Sequence, residues 1–250
     1  MKTSIKILIV LLLVSLLVAG CSALNMVQGK RVKPSDTIIS ETRQVSGFTG
    51  VDMGTFGKVV LTQGEVESLT VSGSDNLVPL VKTSVRDGIL YIEPTEDFYV
   101  TSFTEENILT FTVTAKEINA LTISGIGDLE VESLIAPSLT MTVSGGGYLR
   151  INQLTTDDLT IVLSGMGTLE LSGETRLASI DLSGTGDVDA PNLRIEIANV
   201  SLSGMGGATI WVTDQLTGEI SGAGGVSYYG SPQSDVSTTG LGEFKALGSK

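Results

Sequence analysis

A small hydroxyl residue, a glycine, any residue and a second glycine recur seven times in the second half of this chain. The copies are Ser124-Gly-Ile-Gly127, Ser144-Gly-Gly-Gly147, Ser164-Gly-Met-Gly167, Ser183-Gly-Thr-Gly186, Ser203-Gly-Met-Gly206, Ser221-Gly-Ala-Gly224 and Thr239-Gly-Leu-Gly242. Their starts lie 20, 20, 19, 20, 18 and 18 residues apart. A repeat of that length cannot bury its own apolar face, so copies must stack and share one continuous core.

The residues around each copy define what stacks. One position before the Ser or Thr stand Ile123, Val143, Leu163, Leu182, Leu202, Ile220 and Thr238; three before stand Leu121, Met141, Ile161, Ile180, Val200, Gly218 and Val236. Five after come Leu129, Leu149, Leu169, Val188, Ala208, Val226 and Phe244; seven after come Val131, Ile151, Leu171, Ala190, Ile210, Tyr228 and Ala246. Alternation of this kind is the period of a strand with one buried face. The position between the last two holds Glu130, Arg150, Glu170, Asp189, Thr209, Ser227 and Lys245. A slip of one residue would bury those charges, so the register is fixed. The pattern predicts an all-β fold: a single-domain parallel β-helix with rungs of about 20 residues. Each rung should hold two short strands joined by the Gly-x-Gly corner, where glycine supplies positive φ. At ~4.8 Å per rung, the stack is a rod roughly 30 Å long.

The N-terminal half is less regular. Residues 1–20 read as a signal peptide: Lys2 and Lys6 precede an apolar run from Ile7 to Val18. Leu17-Val18-Ala19-Gly20-Cys21 resembles the lipobox of bacterial lipoproteins, which assigns lipidation to Cys21, the one cysteine of the chain. Residues 21–44 are polar and read as a tether, and residues 45–250 as the β-helix domain, regular from about 118 to 247. Gly54-Thr55-Phe56-Gly57 reads as a degenerate corner, and Asp75 to Val85 as a short turn or helix. Residues 45–120 are thus expected to form irregular first rungs that cap the stack.

Composition excludes several functions. There is no histidine, which removes Ser-His-Asp, Cys-His and His-ligated metal chemistry. The net charge is −13 and becomes −15 once Lys2 and Lys6 leave with the signal, which argues against nucleic acid and against anionic lipid bound by charge. Membrane attachment would instead run through the acyl chains at Cys21. Six serines sharing one position read as a structural column rather than six nucleophiles. Asp128 and Asp187 follow a motif glycine and raise the question of calcium, yet Gly-Gly-x-Gly-x-Asp calcium repeats recur every nine residues rather than every twenty. No metal or cofactor is expected.

Two surface groups carry the remaining interest. Arg150, Glu170 and Asp189 share one outward column, the kind of carboxylate cluster that a polysaccharide-cleaving β-helix would need. Trp211 and Tyr229 each stand eight residues after a motif serine, so they should be neighbours on successive rungs, where exposed aromatics can hold the apolar face of a sugar. The acidic aromatic stretch from Glu96 to Glu106 reads as a loop hanging from the rod.

The lipobox at Cys21, the opening Phe48-Thr-Gly-Val-Asp-Met53 and Ala120-Leu-Thr-Ile-Ser-Gly-Ile-Gly-Asp128 followed by serial Ser-Gly-x-Gly corners resemble one bacterial family. It is the family called putative auto-transporter adhesin, head GIN domain. The resemblance implies a right-handed parallel β-helix in the cell envelope, outside the cytoplasm, with no established activity and no catalytic residues to carry over. With the residues above, it favours a non-enzymatic, lipid-anchored envelope protein that presents a rigid surface to a glycan or protein ligand. A polysaccharide-active lyase or hydrolase on the same scaffold is one alternative, and a purely structural envelope component another. The open end rungs would permit edge-to-edge homo-oligomers.

Overall fold

The computed structural model describes residues 29–102 and 104–250. The signal-like segment and Cys21 lie outside the described residues. Among the described residues, apart from a single 3-10 turn at Val78–Leu80, the regular structure is all strand. The N-terminal part holds β1 (Lys30–Val32), β2 (Ile38–Arg43), β3 (Gly50–Met53), β4 (Phe56–Gln63), β5 (Ser68–Ser74), β6 (Val81–Arg86), β7 (Ile89–Pro94), β8 (Phe98–Val100) and β9 (Thr110–Ala115). The repeats hold β10 (Ala120–Ile123), β11 (Ile126–Val143), β12 (Gly146–Leu163), β13 (Thr168–Leu182), β14 (Asp187–Leu202), β15 (Gly207–Ile220), β16 (Gly225–Tyr229), β17 (Gln233–Thr238) and β18 (Glu243–Gly248).

The repeats form a parallel β-solenoid, each copy lying in register on the next. Ile123 stacks on Val143, Leu129 on Leu149 and Met141 on Ile161. The expected pair of short strands per rung is replaced by one long strand, because in a parallel stack the ladder continues through a bend. In β11 the buried positions are Leu129 and Val131, then Leu134 and Ala136, then Leu139, Met141 and Val143. Pairs of consecutive exposed residues, at 132–133 and 137–138, separate the three runs. Each turn therefore has three flats and three bends, and the third bend is the Ser-Gly-x-Gly corner. At that corner the ladder breaks: the N–H groups of Ser144 and Gly145 both donate to the carbonyl of Ile123, at 3.0 and 3.2 Å. The same sharing recurs at Val143, Leu163, Leu182, Leu202 and Ile220.

The corner glycines are needed for a different reason from the one expected. Among the seven copies only Gly147 has φ in the left-handed region, at 151°. Elsewhere the requirement is close approach: a Cβ on Gly165, Gly184 or Gly204 would stand 2.0–2.1 Å from the glycine carbonyl oxygen of the rung below. Rungs ~4.8 Å apart leave no room there for a methyl group.

The first rung is read correctly in part. Phe56 and Gly57 lie under Ile126 and Gly127, which makes Gly54-Thr55-Phe56-Gly57 an early copy of the corner, and β3 lies under β10. Stacking order then departs from chain order. β7 and β9, later in sequence, lie beneath β3 and β4, and the chain returns above them to begin β10. The bottom edge is closed by antiparallel strands: β6 on β7, β5 on β9 and β2 on β5. Residues 30–43 are thus not a plain tether, since β2 completes this cap and β1 pairs with β8 in the acidic aromatic stretch. Arg43 anchors the closure by donating to the carbonyls of Val81 and Val78, at 2.7 and 3.1 Å. Switching from parallel to antiparallel pairing ends the solenoid and protects its edge.

One apolar column fills the rod from Phe48 to Val226, and among the described residues no buried side-chain nitrogen or oxygen lacks a partner. Two threonines, Thr156 and Thr175, occupy inward positions, and Thr175 satisfies its hydroxyl on the carbonyl of Leu177 at 3.0 Å.

Candidate functional site

The outward column expected from sequence is assembled as read. Arg150 pairs in register with Glu170, and Glu170 with Asp189. The Arg150 Nε donates to Glu170 Oε2 at 2.8 Å, and its Nη2 donates to the Tyr148 hydroxyl at 2.7 Å. The guanidinium carbon sits 4.9 Å from the centre of the Tyr148 ring. Tyr148 precedes Arg150 by two residues, so both point outward from one strand; that spacing was the available signal for a partner the sequence reading overlooked.

This set does not behave as an acid catalyst would. The Tyr148 hydroxyl holds the Glu170 carboxyl below its usual range against the opposing effect of burial, and Arg150 adds to the lowering. Burial and the hydrogen bond to Glu170 push the Tyr148 phenol up. A glycosidase general acid needs the opposite shift, a carboxyl kept protonated near neutral pH. Tyr148→Phe is expected to raise the Glu170 midpoint, and so is Arg150→Ala, as read by carboxyl NMR titration. Because the folded-state midpoint is depressed, the contribution of Glu170 to stability is present above its unfolded-state pKa. It disappears as pH falls through the folded value, and it is small because both partners are largely exposed.

A cleft of about 210 Å³ opens beside this column, lined by Arg150, Asn152, Glu170, Asp189, Pro191 and Asn192 among others. Next to it are the two aromatics. Trp211 lies in register with Tyr229 on the following rung, and both are half-buried. On the preceding rung the register shifts, so that Trp211 pairs with Arg194 rather than with Pro191. Residues 191–193 have no partner on the rung of Trp211, although Asn192 and Leu193 still pair with Ser172 and Gly173 of the rung below. This offset, which no spacing rule could have placed, leaves Pro191 and Asn192 at the edge of the cleft.

Lys250 lies across that junction. Its ammonium is 5.2 Å from the Trp211 ring centre and 5.5 Å from that of Tyr229, donates to Asn192 Oδ1 at 2.6 Å, and also contacts the Pro191 carbonyl. Contacts of this kind at exposed sites are worth about 0.5–1 kcal/mol each, so the side chain can be displaced. Trp211 is the one tryptophan of the chain and reports on the site directly. Lys250→Ala is expected to shift its emission to longer wavelength and to raise its quenching by acrylamide.

The aspartates that raised the calcium question serve the stack. The Asp187 carboxylate accepts the N–H of Gly207, the residue stacked on it, at 2.8 Å. Asp128 likewise accepts from the backbone of Tyr148, and its midpoint is raised, chiefly by burial and then by Glu130. The two stand three rungs apart, and among the described residues no group of three or more carboxylate or thiol ligands gathers at metal-binding distance. Of the motif serines, Ser124 donates to Asp52 at 2.6 Å.

Known proteins share the whole architecture. A putative adhesin from Bacteroides fragilis is 29% identical with a TM-score of 0.81, over 86% of this chain and 100% of that one. A putative adhesin from Parabacteroides merdae is 20% identical (TM-score 0.68; 88% and 100% covered). A protein described as a putative lipid binding protein from Parabacteroides distasonis is 18% identical (TM-score 0.71; 87% and 100% covered). No curated protein matches the chain. The family profile described as putative auto-transporter adhesin, head GIN domain, matches residues 47–232, from β3 through β16, and the chain belongs to that family.

Proposed function

We propose that this protein is a non-catalytic binding module of the cell envelope, held to a membrane by lipid on Cys21, whose ligand rests on Trp211 and Tyr229. The observation that carries the reading is that Lys250 bridges that aromatic pair to Pro191 and Asn192 of the polar cleft. Two rings on successive rungs form a platform about 4.8 Å in repeat, and Asn192, Glu170, Asp189 and Arg150 offer fixed donors and acceptors at its edge. Such a combination suits a sugar, which has an apolar ring face and a polar rim. A rigid stack positions these groups without cost at the moment of binding. The anchor on Cys21, the envelope location and the glycan are parts of this reading, supported by the lipobox-like sequence and by membership of an adhesin family.

Glycan cleavage is the weaker reading, because Glu170 is held as an anion by Tyr148 and Arg150. Retention of isolated cell-wall polymers by the immobilised protein tests the proposal. Trp211→Ala combined with Tyr229→Ala should weaken retention at least about tenfold, the cost of removing two aromatic anchors. Undiminished retention by a folded double variant would remove these residues from the ligand site.

A further inference from the structure

The third residue of each corner points into solvent, and along the rod these residues alternate in size. Ile126, Met166, Met205 and Leu241 are large, apolar and 69%, 78%, 70% and 92% exposed. Between them lie Gly146, Thr185 and Ala223. The corner face is therefore a row of apolar knobs two rungs apart, separated by notches, and a shallow groove of about 430 Å³ runs along it. Exposed apolar residues in a continuous row are unlike the scattered ones that any surface carries.

Gly146 shows that the notches are not demanded by the fold. A Cβ there would meet no atom within 4 Å, and its φ lies outside the left-handed region, whereas a Cβ on either neighbour, Gly145 or Gly147, would collide with backbone at 1.9 Å. The flanking glycines are required by stacking. Gly146 leaves a gap that nothing inside this chain uses.

We infer that the corner face docks a second copy of this chain, antiparallel, with knobs entering notches. Number the corner of Gly54 zero and those of Ser124 to Thr239 one to seven. Antiparallel copies whose opposed corners sum to seven place Ile126 against the partner's Ala223, Met166 against the partner's Thr185 and Met205 against the partner's Gly146, while at each end of the face the half-buried Phe56 of corner zero meets the partner's Leu241. Moving the copies by one rung, or turning them parallel, sets knob on knob and notch on notch.

The same register brings opposite charges together at the two ends of the face. Four residues after each corner start, Lys58 comes to face the partner's Glu243, Asp128 the partner's Gly225, and Thr168 the partner's Asp187. On the other flank Thr122 faces the partner's Glu219, Val162 the partner's Asp181 and Asp52 the partner's Ser237. No carboxylate opposes a carboxylate, although each chain carries a net charge of −13. The face spans seven rung spacings of ~4.8 Å by about six residues of extended chain at ~3.3 Å. That is on the order of 700 Å² per partner, near the ~800 Å² of a standard stable interface. The N-terminal cap lies at the end of the stack away from β18, so the antiparallel pair carries its two N-terminal segments at opposite ends. That arrangement suits copies held on facing surfaces.

Sedimentation equilibrium of the purified full chain, in density-matched nonionic detergent, tests the inference together with Gly146→Met and Met205→Asp. The wild type should sediment at twice the mass of one chain and associate more tightly as salt screens the net charge. Each variant should weaken association at least about tenfold, as expected for a filled notch or a buried charge at an interface core, with its thermal midpoint unchanged. A wild type that stays monomeric at about 100 µM, a concentration at which micromolar interfaces are saturated, overturns it. So do dimers indifferent to both substitutions; if Gly146→Met disturbs the fold, the exposed Met205 decides. Neither substitution touches Trp211 or Tyr229, so failure here leaves the glycan reading standing.

Discussion

Gly184→Ala is expected to lower the unfolding free energy by about 3 kcal/mol, the upper end of the range for overpacking a close-packed interior. The new Cβ would stand 2.1 Å from the Gly165 carbonyl oxygen and 2.7 Å from the Ser164 carbonyl carbon. Both are backbone, so no rotamer change relieves the contact. Relief requires the rungs to part, and parting them breaks the bonds from Thr185 N to Gly165 O and from Met205 N to Gly184 O, at 3.1 and 3.0 Å. Gly146→Ala is the matched control. It lies in an equivalent corner with open space around it and should change stability by less than about 0.5 kcal/mol. Denaturant unfolding with unchanged m-values compares the two directly.

Phe111→Ala should cost about 3–5 kcal/mol, the range for a large aromatic truncated in a core that cannot collapse around the cavity. Phe111 lies in β9, fully buried, with the parallel strand β4 on one side and the antiparallel strand β5 on the other. It therefore sits where the solenoid turns into its cap. A Cβ on Gly57 would come within 3.2 Å of the Phe111 ring, a measure of how tightly the first corner packs on it. The loss should appear first as faster amide exchange in β5 and β2, whose strand pairing with the stack runs through β9, with the upper rungs protected until global unfolding. Uniform loss of protection along the rod would mean that the cap has no separate role.

The regular half of this fold was legible because one residue in two faces the core and the corners recur without interruption. Leu129, Leu149 and Leus like them name the register, and the Arg150–Glu170–Asp189 column follows from it by counting. The bends at 132–133 and 137–138 were also written in the chain, as two outward residues in succession, but a reading centred on the glycines passed over them. Other features depend on contacts that no periodicity reports. Strands β7 and β9 slide beneath a rung that precedes them in sequence, and β2 is drawn into the sheet by the free edge of β5 although its own residues are exposed. At the candidate site, counting placed Trp211 next to Tyr229 but could not place Asn192, because an offset of three residues has no fixed spacing. Lys250 reaches Trp211 across the fold, a contact with no local signature at all.

The most direct test of the binding reading is a titration of Trp211 fluorescence in the purified protein with solubilised envelope polysaccharide, while reducing ends are counted in the same samples. The account predicts a saturable emission change with no new reducing ends, shifted to lower polymer concentration by Lys250→Ala. An emission that never changes, or a rise in reducing ends abolished by Glu170→Gln, would contradict it.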